Sequence, residues 1–426
     1  NTRAMTDIYD SLTLQSGRTL SNRLCKAAME ENLAEAGQIP GEALFNLYSA
    51  WAKGGPGMIL TGNVMIDPTA MTGPGGVILE QGSLAEEAAR ERFEKWAKIG
   101  KSGGAKMVMQ ISHPGRQVYA SMGTEAVSAS DTKVTLEGPA DNMFAQARAL
   151  TSDEILGLIK RFADTAHQAE RAGFDGVQLH AAHGYLIAQF LSPLTNKRED
   201  EWGGSLENRA RLLLDIIRTI RDRVNPEFIV AVKLNSADFQ KGGFDVGDAT
   251  QVVDWLGEQA VDLVEISGGT YESSAMMGES ADGRVSQSTR TREAFFLDFA
   301  EQIATAATMP IMVTGGITRR DTADQVLATP GIDMVGLARA LIITPDLPNR
   351  WQAGEDIAGP VQTVRWKTPA LRSLANMALA KANLRRMSRG QAPKKRINPI
   401  VASLVQQRNQ AVQTKRYKAW LDGEDG

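Results

Sequence analysis

The chain holds 426 residues, 42% of them hydrophobic and 23% charged, with a formal net charge of −3. Its single cysteine, Cys25, excludes an internal disulfide framework, a cysteine-rich zinc site and a four-cysteine iron–sulfur cluster. No apolar run approaches the ~18 residues needed to cross a bilayer, and Asn1–Asp10 lacks the apolar core of a signal peptide. A cytoplasmic protein without membrane contact is therefore expected.

Short apolar runs rich in Val and Ile recur from about residue 22 to 350. They predict strands at Arg23–Met29, Gly57–Asn63, Ala105–Ile111, Phe174–His180, Phe228–Leu234, Val261–Ser267, Pro310–Thr314 and Ile332–Leu337. Helical periodicity fills the gaps: Ile155, Leu158, Ile159, Phe162 and Ala166 share one face, as do Leu206, Ala210, Leu213, Leu214 and Ile217. Ser83–Glu86 and Thr151–Glu154 read as capping boxes, each opening a helix. Eight strand–helix alternations in series predict a closed (β/α)8 TIM barrel over residues 1–350. No Gly-x-Gly-x-x-Gly follows a strand, which argues against a Rossmann nucleotide domain. Two connections, 112–150 and 268–290, are long enough to be lids or substrate-binding excursions.

Charge is uneven along the chain. Residues 361–426 carry 14 Lys and Arg against 3 Asp and Glu, which leaves the preceding 360 residues at −14. A basic tail can bind nucleic acid, but Leu371, Leu374, Met377, Leu384, Val401 and Leu404 are interleaved at helical spacing. Residues 351–426 are expected to form a basic, helical C-terminal extension, packed on the barrel or on a neighbouring subunit, with no nucleic-acid partner.

Polar residues and glycines collect where the predicted strands end, the face on which barrel enzymes keep their active sites. Gln110 and His113 end the third strand, His180 and His183 the fourth and Lys233 the fifth. Ser267-Gly268-Gly269 follow the sixth, Gly315-Gly316 the seventh and Ala338-Arg339 the eighth. Glycines at the seventh strand permit close backbone approach, and Arg339 supplies a permanent cation, a pairing that suits a phosphate. His180 and His183 admit two readings. With a third ligand they would hold zinc in a hydrolase; as neutral imidazoles they would stabilise a developing oxyanion, beside Tyr185 as proton donor.

The stretch from Gly173 to Arg209, with His-Ala-Ala-His-Gly-Tyr at 180–185 and Asn-Lys-Arg-Glu-Asp-Glu-Trp-Gly-Gly-Ser-Leu-Glu-Asn-Arg at 196–209, resembles the signature of the Old Yellow Enzyme family. The resemblance extends to Asn22-Arg23, to Gln110-x-x-His-Pro-Gly-Arg116 and to Val335-Gly-Leu-Ala-Arg339, and covers roughly residues 8–350. It implies a barrel holding non-covalent FMN, with no metal, that takes hydride from NADH or NADPH and reduces the C=C bond of an α,β-unsaturated carbonyl. His180 and His183 match the pair that binds the substrate carbonyl, and Tyr185 matches the proton donor. Gln110 matches the glutamine on the flavin ring, and Lys233 takes a place where the family has Arg near the flavin N1–C2 edge. Gly315, Gly316, Ala338 and Arg339 match the phosphate cradle.

The resemblance also implies that Ala28, Met29 and Glu30 stand at the flavin-facing end of the first strand. There Glu30 replaces the family's Thr or Cys, so an ionised carboxylate against the ring would lower the flavin potential; alternatively Glu30 turns away to pair with a cation, or is protonated by its surroundings. A small-molecule enone is the expected substrate, and a homo-oligomer is open. The rival enzymes are a related flavoprotein dehydrogenase with an added iron–sulfur cluster and the zinc hydrolase.

Overall fold

The computed structural model describes residues 6–134, 142–267, 287–359 and 362–423. Among these, eight parallel strands close on themselves: β1 (Leu24–Lys26), β2 (Met58–Leu60), β3 (Lys106–Ser112), β4 (Gly176–Ala181), β5 (Ile229–Asn235), β6 (Leu263–Ser267), β7 (Ile311–Thr314) and β8 (Met334–Leu337). Each strand pairs with the next in sequence, and β8 returns to β1 with Val335 opposite Leu24. Every predicted strand is therefore present and in barrel order. The first is shorter than its apolar run because residues 27–29 already leave the ladder at the mouth.

Alternation along the strands explains the layering. Outward residues such as Val177, Leu179, Val230 and Val232 pack against helices, while Cys25, Met58, Val108, Ala231, Leu263 and Met312 fill the interior. The hairpin of Leu12–Thr13 and Thr19–Leu20 closes one end, with Leu14 and Leu20 buried in the interior cluster. Above that apolar layer the interior positions become polar: Gln110, Gln178, Lys233 and Glu265 are all buried.

The enclosing helices include α1 (Glu42–Lys53), α2 (Glu87–Lys101), α3 (Ser152–Arg171), α4 (Leu186–Leu191), α5 (Leu206–Arg221), α6 (Val246–Glu258), α7 (Gln287–Ala304), α8 (Arg320–Leu327), α9 (Ala340–Ile343) and α10 (Leu347–Gln352). The predicted face of α3 is buried throughout, each large aliphatic side chain contributing about 1.5–3 kcal/mol. Thr151 caps α3 as expected: its hydroxyl accepts from the Glu154 N–H, and the Glu154 carboxylate accepts from the Thr151 N–H. Ser83 does not cap α2. Its hydroxyl accepts from the Glu80 N–H and closes a turn at 80–83, so the helix opens four residues later with Glu86 as its uncapped first neighbour.

The basic C-terminal region folds as two helices, α11 (Pro369–Ser388) and α12 (Pro399–Leu421). Its inner face mixes small, polar and large apolar residues: Ala375, Ala378, Leu379, Lys381, Leu384, Met387, Ala402 and Tyr417 are buried. Of the six apolar residues that mark the helices in sequence, only Leu384 is buried; Leu371, Leu374, Met377, Val401 and Leu404 are 41–61% exposed. Among the described residues no helix is long and apolar enough to cross a membrane.

Candidate active site

The fourth strand delivers its chemistry through a tight turn. His183 (φ +58°) and Gly184 (φ +72°) both adopt left-handed backbone, which swings the chain from β4 into α4 and places Tyr185 at the N-cap. The strained His183 backbone is held at both ends: its N–H donates to Asn235 Oδ1 (3.1 Å), and its carbonyl accepts from Gln117 Nε2 (2.8 Å). The His180 ring meets the His183 ring edge-on at 4.9 Å between centroids and the Tyr185 ring at 4.7 Å. Three side chains singled out by sequence thus form one cluster at the barrel mouth. Burial, then Lys233, holds His183 well below the usual histidine range; burial, then His183 and Lys233, does the same for His180. Both rings are neutral near pH 7, so each carries one N–H to give.

Beneath them runs a buried polar chain. Gln110 Nε2 donates to Gln178 Oε1 (2.8 Å), Gln178 Nε2 donates to Glu265 Oε2 (2.7 Å), and Lys233 Nζ lies 3.3 Å from Glu265 Oε1. Gln110 and Lys233 are legible in the sequence. Gln178 and Glu265 escape it, although a carboxylate inside the apolar run Val261–Ser267 is an available signal. Gln189 of α4 joins the two loops over the mouth, donating to Pro114 O and Gly184 O and accepting from Ser128 Oγ. His113 faces outward from the mouth instead; its Nδ1 accepts from the Gly115 N–H, and burial holds its pKa at about 4.

On the opposite rim, Gly315 and Gly316 are exposed, and an ideal Cβ on either would meet nothing within 4 Å. Neither has positive φ, so the chain's own conformation does not demand glycine there. Open space above a side-chain-free backbone is what an approaching phosphate needs. Arg339 is exposed at the start of α9 and makes no ion pair among the described residues, while the concave surround disfavours its charge by desolvation. The Thr314 hydroxyl is buried without a hydrogen-bond partner among the described residues. The rim therefore suits FMN: Gly315, Gly316 and Arg339 would hold its phosphate, with Ala338 half-buried beside them. Gly268, Gly269 and most of the 268–290 excursion lie outside the described residues.

At the end of β1, Ala28, Met29 and Glu30 are half-buried. The Glu30 carboxylate accepts from Thr72 Oγ1 and, at 3.4 Å, from Asn32 Nδ2. Lys381 of α11 donates to the Glu30 carbonyl and to Asn32 Oδ1. The Glu30 carboxylate is thus held by a hydroxyl and an amide, while the Lys381 cation bonds the Glu30 carbonyl rather than the carboxylate. Gln413 of α12 donates to Asn32 O (2.6 Å) and Tyr417 to Pro68 O (2.7 Å), so the C-terminal helices hold the loop leaving β1 and the loop leaving β2. Nothing in the sequence joins these partners. Among the described residues no set of three His, Cys, Asp or Glu side chains is placed to hold a metal ion.

The sequence model of the NADH:flavin oxidoreductase / NADH oxidase family matches residues 7–357. The chain is 39% identical over 338 residues to the NADH-dependent flavin oxidoreductase nadA of Aspergillus parasiticus, covering 78% of this chain and 74% of that protein. It is 36% identical over 358 residues to the NADH-dependent flavin oxidoreductase iliE of Hypocrea jecorina, covering 81% and 89%. In fold it is similar to the solved old yellow enzyme homologue from Zymomonas mobilis, with a TM-score of 0.67 at 23% identity over 86% of this chain and 99% of that one. A closed eight-stranded barrel, an open glycine rim on its seventh strand and this match over most of the chain converge on one assignment: the protein belongs to the NADH:flavin oxidoreductase / NADH oxidase family, the Old Yellow Enzymes, and is an FMN oxidoreductase that uses NADH or NADPH.

Proposed function

We propose that this protein reduces the C=C bond of α,β-unsaturated carbonyl compounds. The observation that carries the reading is the convergence of His180, His183 and Tyr185 at the mouth, with both imidazoles held neutral. Bound FMN, once reduced by NADH or NADPH, supplies the hydride. The two imidazole N–H groups bind the substrate carbonyl oxygen and stabilise the negative charge that grows there when the β-carbon accepts hydride. Tyr185 gives its proton to the α-carbon, completing addition of H⁻ and H⁺ across the double bond. Gln110 and Lys233 of the buried chain would bind the polar part of the flavin, and Gly315, Gly316, Ala338 and Arg339 would hold its phosphate. Ala28, Met29 and Glu30 form the wall at the first strand, with residues 362–423 as an extension that braces it. The single buried cysteine is in keeping with a cytoplasmic setting.

The test is anaerobic reduction of the purified protein by NADH and by NADPH, followed by rapid mixing with cyclic enones and maleimides. Reoxidation of the flavin with one equivalent of saturated product supports the reading. Reoxidation by oxygen or quinones alone, with no enone consumed, overturns it.

A further inference from the structure

His183 is pinned at three of its four polar groups. Asn235 takes its N–H, Gln117 its carbonyl, and Ser267 Oγ lies 2.6 Å from its ring Nε2. Only Nδ1 is left for the substrate. A neutral imidazole has one N–H, so the polarity of the contact with Ser267 decides whether Nδ1 can donate at all. If Nε2 donates to the serine, Nδ1 is a bare acceptor and repels a carbonyl oxygen. If the serine donates to Nε2, Nδ1 carries the proton.

The surroundings of the hydroxyl choose between these. Ser267 is buried at the end of β6, and among the described residues its Oγ has no other hydrogen-bond partner. Were Oγ to accept from Nε2, no described residue would take its own proton in that buried place, the costlier arrangement. Donation to Nε2 satisfies both atoms. The serine is itself held, since its carbonyl accepts from the Ser236 N–H at 2.7 Å. His180 has a different arrangement: its Nδ1 accepts from the Ala182 N–H at 3.3 Å, which leaves the proton on Nε2.

We propose that Ser267 is a positioning residue that fixes His183 as the Nδ1–H tautomer, so that the pair presents His180 Nε2–H and His183 Nδ1–H to one oxygen. The inference rests on the enone-reductase reading for its use, but not for its test. The protein has four histidines, so a long-range ¹H–¹⁵N correlation spectrum of the FMN-bound, ¹⁵N-histidine-labelled protein, with His183 assigned by a His183→Gln variant, reads the tautomer without any substrate. The expected spectrum places the His183 proton on Nδ1. A proton on Nε2 in the parent protein overturns the proposal.

Variants add a second readout. In Ser267→Ala the His183 proton should move to Nε2, the tautomer a free imidazole prefers, and the dissociation constant for a para-substituted phenol should rise about tenfold, as expected for loss of a hydrogen bond to an anion. FMN content should not change. Ser267→Thr keeps the hydroxyl and should restore both tautomer and affinity. Retention of Nδ1–H in Ser267→Ala overturns the proposal, as does failure of threonine to rescue a folded, FMN-loaded protein. If the parent protein binds no phenol, the enone reading falls, and the parent spectrum still decides the role of Ser267.

Discussion

Lys233 Nζ and Glu265 Oε1 stand 3.3 Å apart inside the barrel, with side chains 6% and 0% exposed. Two charges taken out of water are stable only while each has the other. Lys233→Met should therefore destabilise the protein by about 3–5 kcal/mol, the usual consequence of stranding a buried charge. The double variant Lys233→Met/Glu265→Gln keeps an acceptor for Gln178 and removes the stranded carboxylate, so it should recover most of the loss. Denaturant midpoints of the FMN-loaded proteins test this; a double variant no more stable than Lys233→Met contradicts it.

Tyr185→Phe should leave reduction of the flavin by NADH or NADPH nearly intact and slow enone reduction by about 10²–10⁴-fold, the range of a positioned general acid. Stopped-flow measurement of the two half-reactions separates these outcomes. Equal losses in both would assign Tyr185 a structural role, through its edge contact with His180.

Acid should unfold the protein partly through its histidines. Burial lowers His113 from 6.5 to about 4 and holds His180 and His183 well below the same ordinary value. Below about pH 6.5 the unfolded chain binds protons that the folded chain refuses, so stability falls as pH drops from about 6.5 towards 4. His113 alone accounts for about 3 kcal/mol across that window. A His113→Gln variant should show a flatter acid limb in its stability–pH profile, whatever its stability at pH ~8. An acid limb as steep as the parent's would show that His113 is not the group refusing the proton.

The Glu30 carboxylate already accepts from Thr72 and Asn32, and Lys381 sits on its carbonyl. Glu30→Gln should therefore shift the flavin midpoint potential by less than about 30 mV, which for two electrons corresponds to about 1.4 kcal/mol. Lys381→Met strips a donor from the Glu30 carbonyl and from Asn32, and should weaken FMN binding more than Glu30→Gln does. Potentiometric titration and flavin-release fluorescence read the two effects. A large potential shift in Glu30→Gln would return the carboxylate to the face of the ring.

The share of this architecture that is legible in the sequence follows from how local each signal is. Doubly buried strands announce themselves as Val- and Ile-rich runs, and all eight can be placed from them. The Thr151 cap is a contact over three residues and reads directly; the Ser83 pattern is equivalent in sequence, but its hydroxyl closes the preceding turn instead. His180, His183 and Tyr185 fall within six residues, so their cluster is visible. The chain from Gln110 through Gln178 to Glu265 and Lys233 spans four strands and depends on which positions face inward at the same height, which no single run of residues encodes. Lys381 reaches Glu30 across 351 positions. Five of the six apolar residues that reveal the C-terminal helices are exposed, because the packed face is made of other residues, among them Ala375, Ala378, Leu379, Lys381 and Met387 beside Leu384.

If two neutral imidazoles bind an oxyanion over the flavin, phenols report it most directly. Titration of a para-substituted phenol into the oxidised, FMN-loaded protein should raise a long-wavelength charge-transfer band that saturates. The band should be absent from His180→Ala/His183→Ala at equal flavin loading, because the phenolate has lost both donors. A band of undiminished amplitude and affinity in the double variant would contradict the account.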